Sequence, residues 1–160
     1  MMHLYQILQN SAKSAPHRTY LYSGTGKAVS YSEAVAESVG LAEALCSSGQ
    51  FSQEPVLAAV VEDAEQLVYL IWACLAAGIC LAFLPKNRHP GQTRLLMRQT
   101  GADALVSDVK ELEALSLRLS AGRPELGHSA EPIFAEVSAD RPAFLFWTSG
   151  TRQAQNTGNH

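Results

Sequence analysis

The chain has 160 residues, of which 47% are hydrophobic and 17% charged, and its formal net charge is −3. This length suits one domain, and the small negative charge gives no electrostatic reason to expect nucleic acid or an anionic membrane as a partner. Three cysteines without a CxxC pair predict reduced, buried thiols in a cytoplasmic protein. Residues 1–16 lack a basic segment followed by an apolar one, so we expect no secretory signal.

The first third of the chain predicts a helix, a hairpin and a second helix. Apolar residues at helical spacing indicate a short amphipathic helix over 3–13. A strand at 20–23 and a hairpin partner at 28–29 flank a glycine-containing turn. Ser30 and Glu33 have the spacing of a capping box, and the helix that they start should end before Gly49.

Residues 67–84 contain no charged side chain. This uncharged stretch is long enough for a membrane-spanning helix. Residues typical of helix starts and helix ends favour another interpretation. Asp63 with Gln66 indicates a helix start, and Gly78 is placed as a helix-ending glycine. We therefore predict a helix that ends at Gly78, followed by a short buried strand over 79–84, and no membrane span.

The apolar run at 56–61 does not alternate with polar residues, which suits a strand covered on both faces. The later elements are predicted in this order: a helix from Pro90 to Gly101, a strand at 104–106, a helix capped by Asp108 and Glu111, a loop at 121–131, and strands at 133–135 and 143–147. Strand and helix alternate from 55 to 120, which predicts a layered α/β fold with a mostly parallel sheet and helices on both faces.

The apolar run at 143–147 breaks into Thr148, Ser149, Gly150 and Thr151. Small residues let the backbone approach a ligand, and N–H groups and hydroxyls can hold a phosphate. The alternative is a plain polar turn after an edge strand. Lys86, Arg88 and His89 also follow a strand end, where α/β sheets often bind ligands, although a solvated loop is the favoured interpretation there.

The strand followed by Thr-Ser-Gly-Thr resembles the ATP-phosphate loop of the adenylate-forming superfamily, which includes acyl-CoA synthetases and the adenylation domains of peptide synthetases. Two earlier segments, 29–45 and 75–102, resemble further motifs of that superfamily. The resemblance implies that residues 1–151 are the first part of a large N-terminal AMP-binding domain. It implies ATP, Mg²⁺, a carboxylic acid and coenzyme A as cofactor and substrates, with Thr148–Thr151 contacting phosphate.

The chain departs from the family pattern after Thr151, where Arg152 and Gln153 stand in place of Thr-Gly and no Pro-Lys follows. We therefore expect residues 152–160 to be a disordered tail outside the family. The parent reaction would be acid–thiol ligation, with the acyl-CoA synthetase branch and fatty acid metabolism as the nearest setting. The chain alone would be an inactive N-terminal fragment that self-associates or needs a missing C-terminal part. No catalytic or metal-ligating residue is predicted. The alternatives are one half of a split ligase and a non-catalytic interaction module.

Overall fold

The computed structural model describes residues 4–86, 89–117 and 141–146. In chain order the elements are α1 (Leu4–Ser14), β1 (Thr19–Tyr22), β2 (Ala28–Ser30), α2 (Tyr31–Ser47), β3 (Val56–Val60), α3 (Ala64–Ala77), β4 (Cys80–Phe83), α4 (Pro90–Thr100), β5 (Ala104–Ser107), a 3₁₀ helix (Lys110–Leu115) and β6 (Phe144–Phe146). The predicted strand at 133–135 and the predicted loop at 121–131 lie outside the described residues.

The central sheet has four strands in the order β5-β3-β4-β6. Each neighbouring pair is parallel, as between β3 and β4 or between β4 and β6. The predicted parallel α/β sheet is therefore confirmed. A separate two-stranded antiparallel ribbon joins β1 to β2, which confirms the predicted hairpin.

Both faces of the sheet are covered, which is why its strands lack an alternating pattern. Leu57 and Ala59 of β3 face one core, and Ala58 and Val60 face the other. The first core is closed by α1, α2 and α3, through side chains such as Leu8, Leu45 and Leu70. The second is closed by α4 and the 3₁₀ helix, through Leu96, Met97 and Leu112. Helices on both faces match the expected layering.

Local capping signals fix the helix ends where the sequence places them. The Ser30 hydroxyl accepts from the Glu33 N–H at 3.1 Å, and the Glu33 carboxylate accepts from the Ser30 N–H at 3.0 Å. Asp63 caps α3 by accepting from the Gln66 N–H at 3.0 Å. Gly78 ends α3 with φ 71°, a left-handed conformation that favours glycine. The long uncharged stretch is thus a helix, a turn and a strand, and no helix in the described ranges is long and apolar enough to span a membrane.

Two sequence expectations were wrong. The segment after Asp108 is a six-residue 3₁₀ helix with Val109 at its N-cap and no side-chain cap, because the Asp108 carboxylate bonds instead to backbone N–H groups of another loop. Cys46 is exposed, whereas Cys74 and Cys80 are buried as expected. Cys46 directly follows the buried Leu45 on α2 and lies on the outward side of that helix.

Candidate functional site

Strand β6 leads the chain toward the predicted phosphate loop. Its register against β4 pairs Leu81 with Phe144 and Phe83 with Phe146, so β6 and β4 end at the same edge of the sheet. Ligands of open α/β sheets bind outside this carboxyl edge. Thr148, Ser149, Gly150 and Thr151 lie outside the described residues, and the chain leaves β6 at Phe146, two positions before Thr148.

An aromatic cluster lies at this point of the sheet. The rings of Phe83 and Phe146 stack with centroids 4.9 Å apart and planes 8° from parallel. Phe144 adds a tilted contact to Phe83 at 5.9 Å. Phe146 is still 73% exposed, although aromatic pairing of this kind stabilises by about 0.5–1.5 kcal/mol beyond area burial. Stacking on Phe83 therefore holds the end of β6 in place. Most of the Phe146 ring is nevertheless exposed to solvent.

The same edge carries a cation after β4. Lys86 follows this strand by three residues and is exposed. His89 is the N-cap residue of α4, and its ring lies over Gly91, where an added Cβ would approach it to 3.3 Å. Arg88, the third basic residue expected here, lies outside the described residues. The sheet thus brings Lys86 to the edge at which β6 ends.

The neighbouring half of the carboxyl edge, beyond β3 and β5, is acidic. The Asp108 carboxylate accepts from the Glu62 N–H at 2.9 and 3.1 Å and from the Asp63 N–H at 2.9 Å. The Ser107 hydroxyl donates to the Val60 carbonyl at 2.8 Å and so joins the same two strands. Glu62, Asp63 and Asp108 therefore give this half three carboxyl groups.

At the opposite edge, the side chain of Arg141 holds the start of β6, and no local sequence pattern predicts this contact. Arg141 donates to the Pro55 carbonyl at 3.3 Å and lies 3.5 Å from the Gly78 carbonyl. Burial raises the pKa of the Cys80 thiol, and the nearby Arg141 charge offsets part of that rise. Asp103 binds the Val56 N–H at 2.9 Å on the same edge. These contacts position the strand rather than perform chemistry.

The described ranges hold no cluster of metal-ligating side chains. No three side chains of His, Cys, Asp or Glu come together there as a cation site.

A family model described as "AMP-binding enzyme" matches residues 8–152, which is most of the chain. The chain belongs to the AMP-binding enzyme family. The matched range includes the four predicted phosphate-contacting residues, Thr148 to Thr151. A search of curated proteins found no match.

Solved structures share the fold of this AMP-binding family member at low sequence identity. O-succinylbenzoate coenzyme A synthetase (MenE) from Bacillus subtilis, in complex with AMP, is 22% identical with a TM-score of 0.71, over 92% of this chain and 39% of that chain. The N-terminal subdomain of NpsA from Klebsiella oxytoca is 18% identical with a TM-score of 0.70, over 93% of this chain and 39% of that chain.

A nonribosomal peptide synthetase, FmoA3, in its AMPPNP-bound form, is 20% identical with a TM-score of 0.70, over 91% of this chain and 16% of that chain. The fold is therefore shared by coenzyme A synthetases and peptide synthetases. This chain spans 39% of the length of the MenE structure, so the similarity concerns the first part of such enzymes.

Proposed function

We propose that this chain is the N-terminal part of an ATP-dependent ligase that activates a carboxylic acid. The family match over residues 8–152 carries this proposal. In the proposed reaction, a carboxylate oxygen attacks the α-phosphorus of ATP, the bond to pyrophosphate breaks, and an acyl-adenylate results. A thiol such as coenzyme A then displaces AMP. MenE has been solved with ATP and a magnesium ion and with an acyl-adenylate, which supports ATP, Mg²⁺ and the adenylate as ligands of the whole ligase.

The part of this chain would be to hold the phosphates of ATP. We assign phosphate contacts to Thr148, Ser149, Gly150 and Thr151, because their N–H groups and hydroxyls are suitable donors. Lys86 supports this assignment, since it supplies a positive charge at the edge where β6 ends. Positioning and charge stabilisation are the main sources of rate enhancement in phosphoryl-type chemistry.

Full activity would require segments beyond those in this chain. The chain spans 39% of the MenE structure, so the remaining segments of such a ligase would have to supply the rest of the active site. We therefore expect ATP binding without turnover from this chain alone. Coenzyme A ligation is preferred over peptide-synthetase chemistry on general likeness, and the cytoplasm is the proposed location.

Calorimetric titration with Mg-ATP tests the phosphate assignment. Ser149→Ala should weaken binding roughly tenfold, because a hydrogen bond to a charged group is worth about 1.5–3 kcal/mol. Ser32→Ala is the matched control, since Ser32 is exposed near the start of α2 and far along the chain from the loop. Equal affinities for the two variants, or no ATP binding at millimolar concentration, would refute the assignment.

A second function, an interaction module or one half of a split ligase, is favoured by the exposed Phe146. Among the described strands, β6 pairs with β4 on one side and has no neighbour on the other, and an apolar edge of this kind promotes pairing with another chain. Under this alternative, Phe146→Ser should lower self-association in light scattering, and ATP should not affect it. Pyrophosphate exchange that appears only on adding a complementary chain would identify the split ligase.

A further inference from the structure

The sequence of β6 does not determine the register of this strand against β4. Residues 143–147 read Ala-Phe-Leu-Phe-Trp and are all apolar, so a shift by one residue would still place an apolar side chain on each face of the sheet. Alternating polar and apolar residues normally specify register, and β6 lacks that pattern. The strand has three residues and, among the described strands, one partner, β4. Another contact is therefore needed to fix β6 along β4.

The start of β6 offers few backbone anchors. Pro142 has no N–H group and cannot donate to the ladder. Next to it, the Leu81 N–H donates to the Ala143 carbonyl at 2.9 Å, but Pro142 and Ala143 are both exposed. The aromatic stacking of Phe146 lies at the other end of the strand. A side chain that binds near Pro142 would therefore have a strong influence on where β6 begins.

The guanidinium of Arg141 occupies this position and meets two carbonyls from other connections. It donates to the Pro55 carbonyl at 3.3 Å and lies 3.5 Å from the Gly78 carbonyl. The Pro55 carbonyl also accepts from the Cys80 N–H at 2.9 Å, so Arg141 binds where β3 and β4 are already joined. Gly78 ends α3, and the carbonyl end of a helix attracts a positive charge. The planar guanidinium donates in fixed directions, which ties the start of β6 to one place on the amino edge.

We propose that Arg141 is a positioning residue that fixes the register of β6 and thereby the point at which the chain enters the predicted phosphate loop. This inference rests on the proposed function, in which Thr148–Thr151 contact the phosphates of ATP. A slip of one residue moves a strand by about 3.3 Å and reverses its two faces. Hydrogen bonds require a narrow range of distance and angle, so such a slip would break the phosphate contacts. Arg141 acts from the opposite edge of the sheet and does not itself contact ATP.

Amide hydrogen exchange on the whole chain tests whether Arg141 holds β6, without any need for ATP. Arg141→Ala should speed exchange of the Leu81 N–H, whose acceptor is the Ala143 carbonyl, by about tenfold or more. The Leu84 N–H is the internal control, because it donates to the Ala59 carbonyl at 2.9 Å and so reports on the pairing of β4 with β3. Its exchange should not change.

Calorimetric titration with Mg-ATP tests the consequence for binding. Arg141→Ala should weaken binding about tenfold, because small displacements of a binding group are costly. Arg141→Lys keeps the charge without the planar donor geometry, so it should weaken binding less, about threefold. Arg94→Ala removes an exposed arginine of α4 and should bind like the wild type. Trp72→Phe should also bind like the wild type, because it removes a hydrogen bond to the Tyr20 hydroxyl and so controls for a general loss of stability.

Two results would overturn the proposal: unchanged exchange of the Leu81 N–H in Arg141→Ala, or Mg-ATP affinities that are equal for Arg141→Ala, Trp72→Phe and the wild type. If Arg141→Ala does not fold, Arg141→Lys decides both measurements. If the wild type does not bind Mg-ATP, the phosphate assignment is refuted, and the role of Arg141 in ATP binding is refuted with it. Binding by the wild type with unaltered binding by the Arg141 variants would refute this inference alone.

Discussion

Asp108 joins two loops across the carboxyl edge, and its removal should measurably destabilise the chain. Its carboxylate accepts from the N–H groups of Glu62 and Asp63, at distances of 2.9 to 3.1 Å. Side-chain caps of exposed N–H groups are worth about 0.5–2 kcal/mol, and water can partly replace these bonds because Asp108 is exposed. We expect Asp108→Ala to lower the free energy of unfolding by about 1–2 kcal/mol.

Urea denaturation followed by tryptophan fluorescence would measure this loss, and the melting temperature should fall by about 2–8 °C. Asp108→Asn keeps one acceptor oxygen and should cost about half as much. Glu54→Ala is the control, because Glu54 is an exposed carboxylate in the connection before β3, where such substitutions usually stay within about 0.5 kcal/mol. If Asp108→Ala unfolds at the same urea concentration as Glu54→Ala, the carboxylate does not hold the two loops together.

Three further substitutions, with Leu95→Ala as a control, test a core contact, a hydrogen bond and a buried phenol. Leu81 in β4 is 0% exposed, and Leu81→Ala should lower the free energy of unfolding, measured in urea, by about 2–5 kcal/mol. Leu95 is 52% exposed, and Leu95→Ala should lower it far less. Trp72→Phe removes the 2.8 Å hydrogen bond from the indole N–H to the Tyr20 hydroxyl and should lower the free energy of unfolding by about 1 kcal/mol. A loss of stability smaller than that of Leu95→Ala would contradict this expectation. Burial raises the pKa of Tyr5 to about 12, so the unfolded chain loses this proton first, near pH 10. Stability should therefore fall between about pH 10 and pH 12 in the wild type and fall less in Tyr5→Phe, as pH-dependent denaturation would show.

The local signals in the sequence were sufficient for most of the fold. The capping box at Ser30 and Glu33 needs only residues three apart, and both of its hydrogen bonds are present. Gly78 with φ 71° separates α3 from β4 as its position predicted. Pro90 and Gly101 likewise begin and end α4. Each of these signals acts within one helical turn, so the neighbouring residues alone determine it.

The sequence could not predict contacts between distant segments. Asp108 resembles a helix cap locally, but it bonds to Glu62, 46 positions earlier. Arg141 donates to Pro55, 86 positions away, and no pattern in the sequence pairs those residues. The acidic half of the carboxyl edge also depends on strand order, because Asp108 comes beside Glu62 and Asp63 only when β5 pairs with β3. The phosphate-contacting role of Thr148–Thr151 stays a prediction.

The strand order also separates the acidic half of the carboxyl edge from the half at which β6 ends. Strands lie about 4.8 Å apart, so β6 and β5, which are separated by β4 and β3, are roughly 14 Å apart. This distance exceeds the Debye length of about 8 Å at physiological ionic strength, so Asp108 and Glu113 would repel a phosphate beside β6 only weakly. Lys86 follows the adjacent strand β4, and it would act on the phosphate at about one strand spacing. The carboxylates beyond β3 and β5 would therefore do little to weaken the proposed binding of phosphate beside β6.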